Sequence, residues 1–389
     1  MTGSKPPFPP SGSYLSSIRE TSRELRLAAK ISITDESIER LLASPAFKDS
    51  FERVSQAHGL AFPLKFASNL DELNVLCILS LLNFGSGYRA QLHAATGRGA
   101  WDTMRAFVLS LYIGSSTGEG DMLSASGMQN IQLGKVAELL GVNVYVERPH
   151  EKLVGVTVGE LGGALYDLVK MITDILNETG RLLVEYGYPN LGSFVLRALE
   201  EGQKAQSKHE PNADIEVILE RIVGAFPGFQ DMATVNGKAI YCFKKALFLI
   251  HAVTILFGSK SQSTIPIPDT RNSPVFADNV LPSMLVHFGV IDLKMSPTLS
   301  RLFPDAGESV GELLEGRKRA VGKEMKDGPV VTEEEGYILR GAAIEACERI
   351  GRIGRYVETA VDMWVWAVAK DSRAYRELPR LAERDTVYF

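Results

Sequence analysis

Apolar residues recur at spacings of three and four through most of the chain, the signature of helices that turn one face toward a core. The spacing is most regular at Leu165, Leu168, Val169, Ile172, Ile175, Leu176, Leu182 and Leu183, which predicts an amphipathic helix over 163–185. Further helices are predicted over 70–84, 101–112, 131–140, 215–226 and 246–257. Near the start, Thr34 or Asp35 caps a helix bearing Ile38, Leu41 and Leu42, followed by a short one over 47–54. Toward the end, Ile338, Leu339, Ala342, Ala346 and Ile350 form one apolar stripe. Val357, Val361, Trp364 and Val365 form another beyond Gly351 and Gly354. One break in the helical period stands out. Asn236-Gly237 lies between Thr234-Val235 and Ala239-Ile240-Tyr241, the dipeptide that a two-residue hairpin turn prefers because both positions need positive φ. The expectation is a mainly α protein with one small β-hairpin.

Polar and proline-rich stretches divide this pattern. Residues 1–30 read as a disordered or loosely attached tail, with prolines over 6–10 and serines over 11–17. Residues 31–389 read as the folded part, in one or two helical lobes. Connections are expected over 200–214, 259–274 and 304–332. The longest apolar runs, 75–82 and 246–257, fall short of the ~20 residues of a membrane helix. At 45% hydrophobic content the chain can bury a large core, and its net charge of −5 argues against a partner as polyanionic as long nucleic acid. The three cysteines, Cys77, Cys242 and Cys347, stand far apart in apolar segments, which suggests neither a disulfide framework nor a zinc site. A cytoplasmic protein with reduced cysteines and no membrane contact is expected.

Asp278 is the leading candidate for chemistry. It stands between Phe276 and the helix start predicted by Asn279, Val280, Leu281, Met284, Leu285 and Phe288, with Pro282 tolerable only in the first turn. Asp278 is read there as a helix cap. A carboxylate in that position is also held ionised by the helix dipole, and it suits positive charge developing on a flat substrate. Gly85-Ser86-Gly87, leading to Arg89 and His93, lets backbone N–H groups approach a ligand but makes an ordinary turn equally well. Lys244 and Lys245 open a helix against its dipole, so an anion or acidic group nearby would suit them, although both reaching solvent is an equal alternative. Asp362 and Trp366, four apart, share a helical face where a carboxylate and an indole can meet a heterocycle; an exposed acid beside a core tryptophan is the plainer alternative.

Several short motifs occur in a fixed order: Leu82-Asn83-Phe84 through His93, Leu176-Asn177-Glu178-Thr179-Gly180, Phe226-Pro227 through Asp231, and Phe243-Lys244-Lys245-Ala246. Phe276-Ala277-Asp278 with Leu281-Pro282, Leu339-Arg340-Gly341 and the tail from Val361-Asp362 follow. As an ordered set they resemble the queuosine salvage family, the queuosine 5′-phosphate N-glycosylases, over most of residues 60–389. The resemblance implies a helical fold similar to helix-hairpin-helix DNA glycosylases. It also implies hydrolysis of queuosine 5′-monophosphate to free the base queuine for reuse in tRNA, without metal or cofactor. Carried over by position, Asp278 would be the catalytic carboxylate, Phe276 would pack on the nucleoside, His93 and Asp362 would contact substrate, and Lys244 would lie near the phosphate. Trp366 and Arg89 join them as substrate-binding candidates. The chain departs from the family pattern where Asn279-Val280 replace a Tyr-Arg pair and Ala367 replaces an acid. A non-catalytic binder of queuine or a related nucleoside, and a glycosylase of another modified nucleoside, remain the alternative readings.

Overall fold

Helices carry most of the chain, as the three-and-four spacing predicts. The computed structural model describes residues 5–55, 59–116, 120–206, 212–260, 263–316, 328–371 and 373–389, which form two compact units.

The first unit comprises Met1–Lys65, Ala198–Gly224 and Phe229–Glu383. Its longest helix, Glu333–Gly354, starts at a capping box. The Thr332 hydroxyl accepts from the Glu335 N–H at 3.3 Å, and the Glu335 carboxylate accepts from the Thr332 N–H at 3.0 Å. Helix Tyr14–Ala28 packs along it, so residues expected as a loose tail are part of the core. The reason lies in Tyr14, Leu15, Ile18 and Leu25, a helical stripe that the neighbouring prolines and serines disguise; Ile18 is fully buried. Polar contacts fix the same helix. Glu216 accepts from the Tyr14 and Leu15 N–H groups at 2.7 and 3.0 Å, and Arg26 grips Glu345 through two 2.8 Å bonds. Helix Asp35–Ala43 is capped by Thr34, whose side chain accepts from the Ser37 N–H. The predicted hairpin forms as Met232–Val235 paired with Lys238–Tyr241, turning at Asn236 and Gly237 with φ of 50° and 76°. It leads into helix Lys244–Phe257. Helix Glu358–Asp371 places Trp364 at the centre of the core, its indole N–H donating to the Ser50 hydroxyl at 2.8 Å.

The second unit comprises Phe66–Arg197, Ala225–Gly228 and Arg384–Phe389. Helix Asn69–Leu81 is buried along almost its whole length, and helix Tyr166–Glu185 realises the most regular apolar stripe. The latter lies tight against helix Ala125–Asn130, where Gly180 leaves no room for a side chain: a Cβ there would sit 2.3 Å from the Gln129 nitrogen. Asn177 clamps the same crossing by donating to the Met128 and Ile131 carbonyls at 2.9 and 3.1 Å. A second hairpin, Tyr145–Pro149 with Thr157–Leu161, corrects the expectation of a single one. Its strands are exposed on both faces and lack a two-residue turn, so neither a buried alternation nor an Asn-Gly signal marks them.

Two expected connections also differ. Helices Leu191–Gln206 and Ala213–Ala225 take up most of 200–214, because glutamates, lysines and glutamines continue an exposed helical face as readily as they form a loop. Within 304–332 a short helix, Val310–Leu314, forms, and residues 317–327 lie outside the described residues. No described helix is long and apolar enough to cross a membrane, and Cys77, Cys242 and Cys347 are buried free thiols.

Candidate functional site

Within the first unit, candidate side chains gather around the segment that leads into helix Val280–His287. Asn279, one residue later than expected, occupies the cap position. Its own amide donates instead to the Leu381 carbonyl at 3.1 Å. Asp278 nevertheless serves the first turn, its Oδ1 accepting from the Val280 N–H at 2.7 Å and the Leu281 N–H at 3.3 Å. The capping use is therefore real, and it engages one oxygen. Asp278 is half-buried, and its Oδ2 makes no hydrogen bond among the described residues. That oxygen is available to a ligand.

Asp362 faces the same segment from helix Glu358–Asp371. It is only 2% exposed, contrary to the plainer alternative of a solvent-facing acid, and its Oδ2 accepts from the Phe276 N–H at 2.8 Å. Burial pushes its carboxyl well above the usual carboxylate range, and the charge of Asp278 adds to the rise; the Phe276 N–H and Lys244 oppose it. Asp362 therefore holds its proton to higher pH than an ordinary carboxyl does. Phe276 is buried with its ring against Phe248 and His251, at centroid distances of 5.8 and 5.6 Å, while its backbone orients Asp362. Most of that ring is already covered by protein. Trp366 is half-buried, with the Lys370 ammonium 3.3 Å from its ring centroid, and the fully buried core tryptophan is Trp364.

Lys244 and Lys245 do not reach solvent, being 3% and 0% exposed. The acidic group their position calls for is Asp231, whose Oδ2 accepts from the Lys244 N–H at 3.0 Å at the start of the helix. Burial pulls the Lys244 ammonium down to about 8, against the opposing charges of Asp278, Asp231 and Asp362. Lys245 is pushed well below its ordinary range by burial and by its neighbour Lys244, and its ammonium lies 5.8 Å from the Phe229 ring centroid. Phe243, in the left-handed region at φ 45°, makes the turn that delivers Lys244 to this position. Arg89 and His93 belong to the second unit, on helix Arg89–Thr96. His93 is exposed there.

Two groups with no role assigned from sequence complete the cluster. Arg340, fully buried in helix Glu333–Gly354, forms a two-pronged ion pair with the equally buried Asp231 and donates its Nε to the Ala277 carbonyl at 2.8 Å. Both residues lie in the motifs that carried the resemblance. The signal was an arginine within a strongly apolar helical stretch, a position where an unpaired charge does not survive. Chemically, the arrangement offers an acid with one oxygen making no hydrogen bond among the described residues, a second acid with a raised pKa, and an ammonium, all in one mostly apolar setting. It suits a reaction that develops positive charge beside one carboxyl and needs a proton from the other.

A family model described as "Queuosine salvage protein" matches residues 164–308, which include Asp231, Lys244, Phe276 and Asp278. A Bos taurus protein named queuosine 5′-phosphate N-glycosylase/hydrolase is 26% identical over 202 residues, covering 51% of each chain. A Mus musculus protein of the same name is 31% identical over 118 residues, covering 30% of each. The match thus spans about half the length of the bovine relative and less of the mouse one. The resemblance read from the motifs is borne out by these matches: over these stretches the chain is similar to the queuosine salvage proteins.

Proposed function

We propose that this protein hydrolyses the N-glycosidic bond of queuosine 5′-monophosphate and releases queuine. The observation that carries the reading is the pairing of Asp278, with an unengaged oxygen, and the proton-retaining Asp362 beside a buried ammonium, within a chain related to N-glycosylases of that substrate. N-glycosidic cleavage passes through a sugar with oxocarbenium character. Asp278 supports that cation, orients the water that adds to C1′ and accepts the proton that this water loses. The departing base takes both electrons of the broken bond. A 7-deazaguanine has no N7 to protonate, so it needs a donor elsewhere on the base, and protonated Asp362 suits that task. Lys244 would meet the 5′-phosphate in its charged form, and the negative charge of the phosphate would favour that form.

The direct test is incubation with queuosine 5′-monophosphate followed by chromatography for free queuine. Asp278→Asn preserves shape and removes charge. It is expected to lower kcat about 100-fold or more, the usual scale for losing an electrostatic partner of the transition state. Queuine release by the variant at the wild-type rate would remove Asp278 from its role. Recovery of the intact nucleotide from the wild-type protein would leave a binding protein in place of an enzyme.

A further inference from the structure

The Arg340–Asp231 pair has no solvent-facing atoms with which to meet a nucleotide, yet it touches both charged arms of the site. Arg340 donates Nε to the carbonyl of Ala277, the residue before Asp278. Its Nη1 donates to Asp231 Oδ1 at 2.9 Å and its Nη2 to Oδ2. The same Oδ2 accepts from the Lys244 N–H, and the Asp231 carbonyl accepts from the Cys242 and Phe243 N–H groups at 3.0 and 3.1 Å. One planar group thus ties the Asp278 segment to the root of the Lys244 helix.

We propose that Arg340, with Asp231, is a positioning residue that fixes the separation of Asp278 and Lys244 and acts on the reaction only through them. The proposal rests on the glycosylase reading above. Stability alone is a weak explanation for such a pair, because well-packed apolar residues often replace a buried ion pair at no cost. Geometry is a stronger one. A guanidinium donates in three fixed in-plane directions at once, whereas a lysine supplies a single point charge that can satisfy the carboxylate or the carbonyl but not hold both in register. A displacement of about 1 Å in a reacting group is enough to cost about 100-fold in rate. The Asp278 carboxylate is half-exposed on a short helix start, so its position depends on what anchors Ala277 behind it.

The experiment uses the full chain with queuosine 5′-monophosphate and two variants, Arg340→Lys and the double replacement Arg340→Met with Asp231→Leu. Melting curves accompany steady-state kinetics. Expected for folded variants is a kcat about 100-fold lower, with any rise in KM no larger than the tenfold or so expected of Lys244→Met. Adding Asp278→Asn to Arg340→Lys is expected to lower kcat by far less than the product of the two single effects, since both act through one carboxylate. A folded variant that keeps kcat within about twofold, or that raises KM at constant kcat, overturns the proposal. So do full multiplication of the two single effects and failure of both variants to fold, which would make the pair a folding element. A wild-type protein that releases no queuine fails at an earlier step and removes the proposed activity together with this role.

Discussion

Lys244 places a charge where the protein excludes water, and that burial decides at which pH the charge exists. Its ammonium titrates at about 8 in the fold, against 10.5 for an ordinary lysine. Between those values the unfolded chain holds a proton that the folded one has released, so Lys244 makes the fold more stable as pH rises through this window. Phosphate recognition runs the other way, because it needs the charged form. KM for queuosine 5′-monophosphate is expected to climb as pH passes about 8, while KM for the unphosphorylated nucleoside stays level. At pH 7, Lys244→Met is expected to raise KM for the monophosphate about tenfold or more, the scale of one charge-assisted hydrogen bond. Equal KM values for the two substrates in the wild-type protein would remove the phosphate contact. Asp362 has the opposite sign. Its raised pKa means the folded protein keeps a proton that the unfolded chain loses, so it contributes less stability as pH rises above the ordinary carboxylate range.

At the scale of elements, helix Glu333–Gly354 delivers Arg340 to the site, and its start is secured by Thr332 and Glu335. Thr332→Ala is expected to cost about 1 kcal/mol. For a chain of this size unfolding as one unit that is a fall of about 1 °C in melting temperature, readable by calorimetry. The helices were legible in the sequence because apolar spacing is a local property: Tyr166–Glu185 and Lys244–Phe257 both follow directly from it. Thr34 and the Asn-Gly turn were legible for the same reason. The exposed hairpin Tyr145–Pro149 with Thr157–Leu161 was not, since nothing buries one of its faces and so nothing imposes alternation. Within the motifs, spacing did not separate packing from chemistry. Asn177 and Gly180 clamp a helix crossing in the second unit, whereas Asp278 in the first has an oxygen that makes no hydrogen bond among the described residues. Burial makes that distinction, and it depends on residues far away in the chain. The depth of Lys244, and the pairing of Arg340 with Asp231, were hidden for this reason.

For the whole molecule, the N-terminal segment matters more than its composition suggests. Removing residues before 29 would expose the surface that Ile18 and Leu25 cover. It would also leave Glu216 and Glu345 buried without the N–H groups of Tyr14 and Leu15 and the guanidinium of Arg26. Loss of one partner from a buried ion pair costs about 3–5 kcal/mol. The truncated chain is therefore expected to melt well below the full one and to aggregate on purification, and an unchanged melting temperature would refute this.

The family match over 164–308 stops before Arg340 and Asp362, although these bond to Ala277 and Phe276, the two residues before Asp278. These groups must therefore be inherited together. A chimera joined between residues 278 and 340 would hand the acid to a foreign guanidinium, however well each half resembled its parent. Recombination among relatives should yield working hybrids chiefly where the crossover leaves this partnership within a single parental lineage.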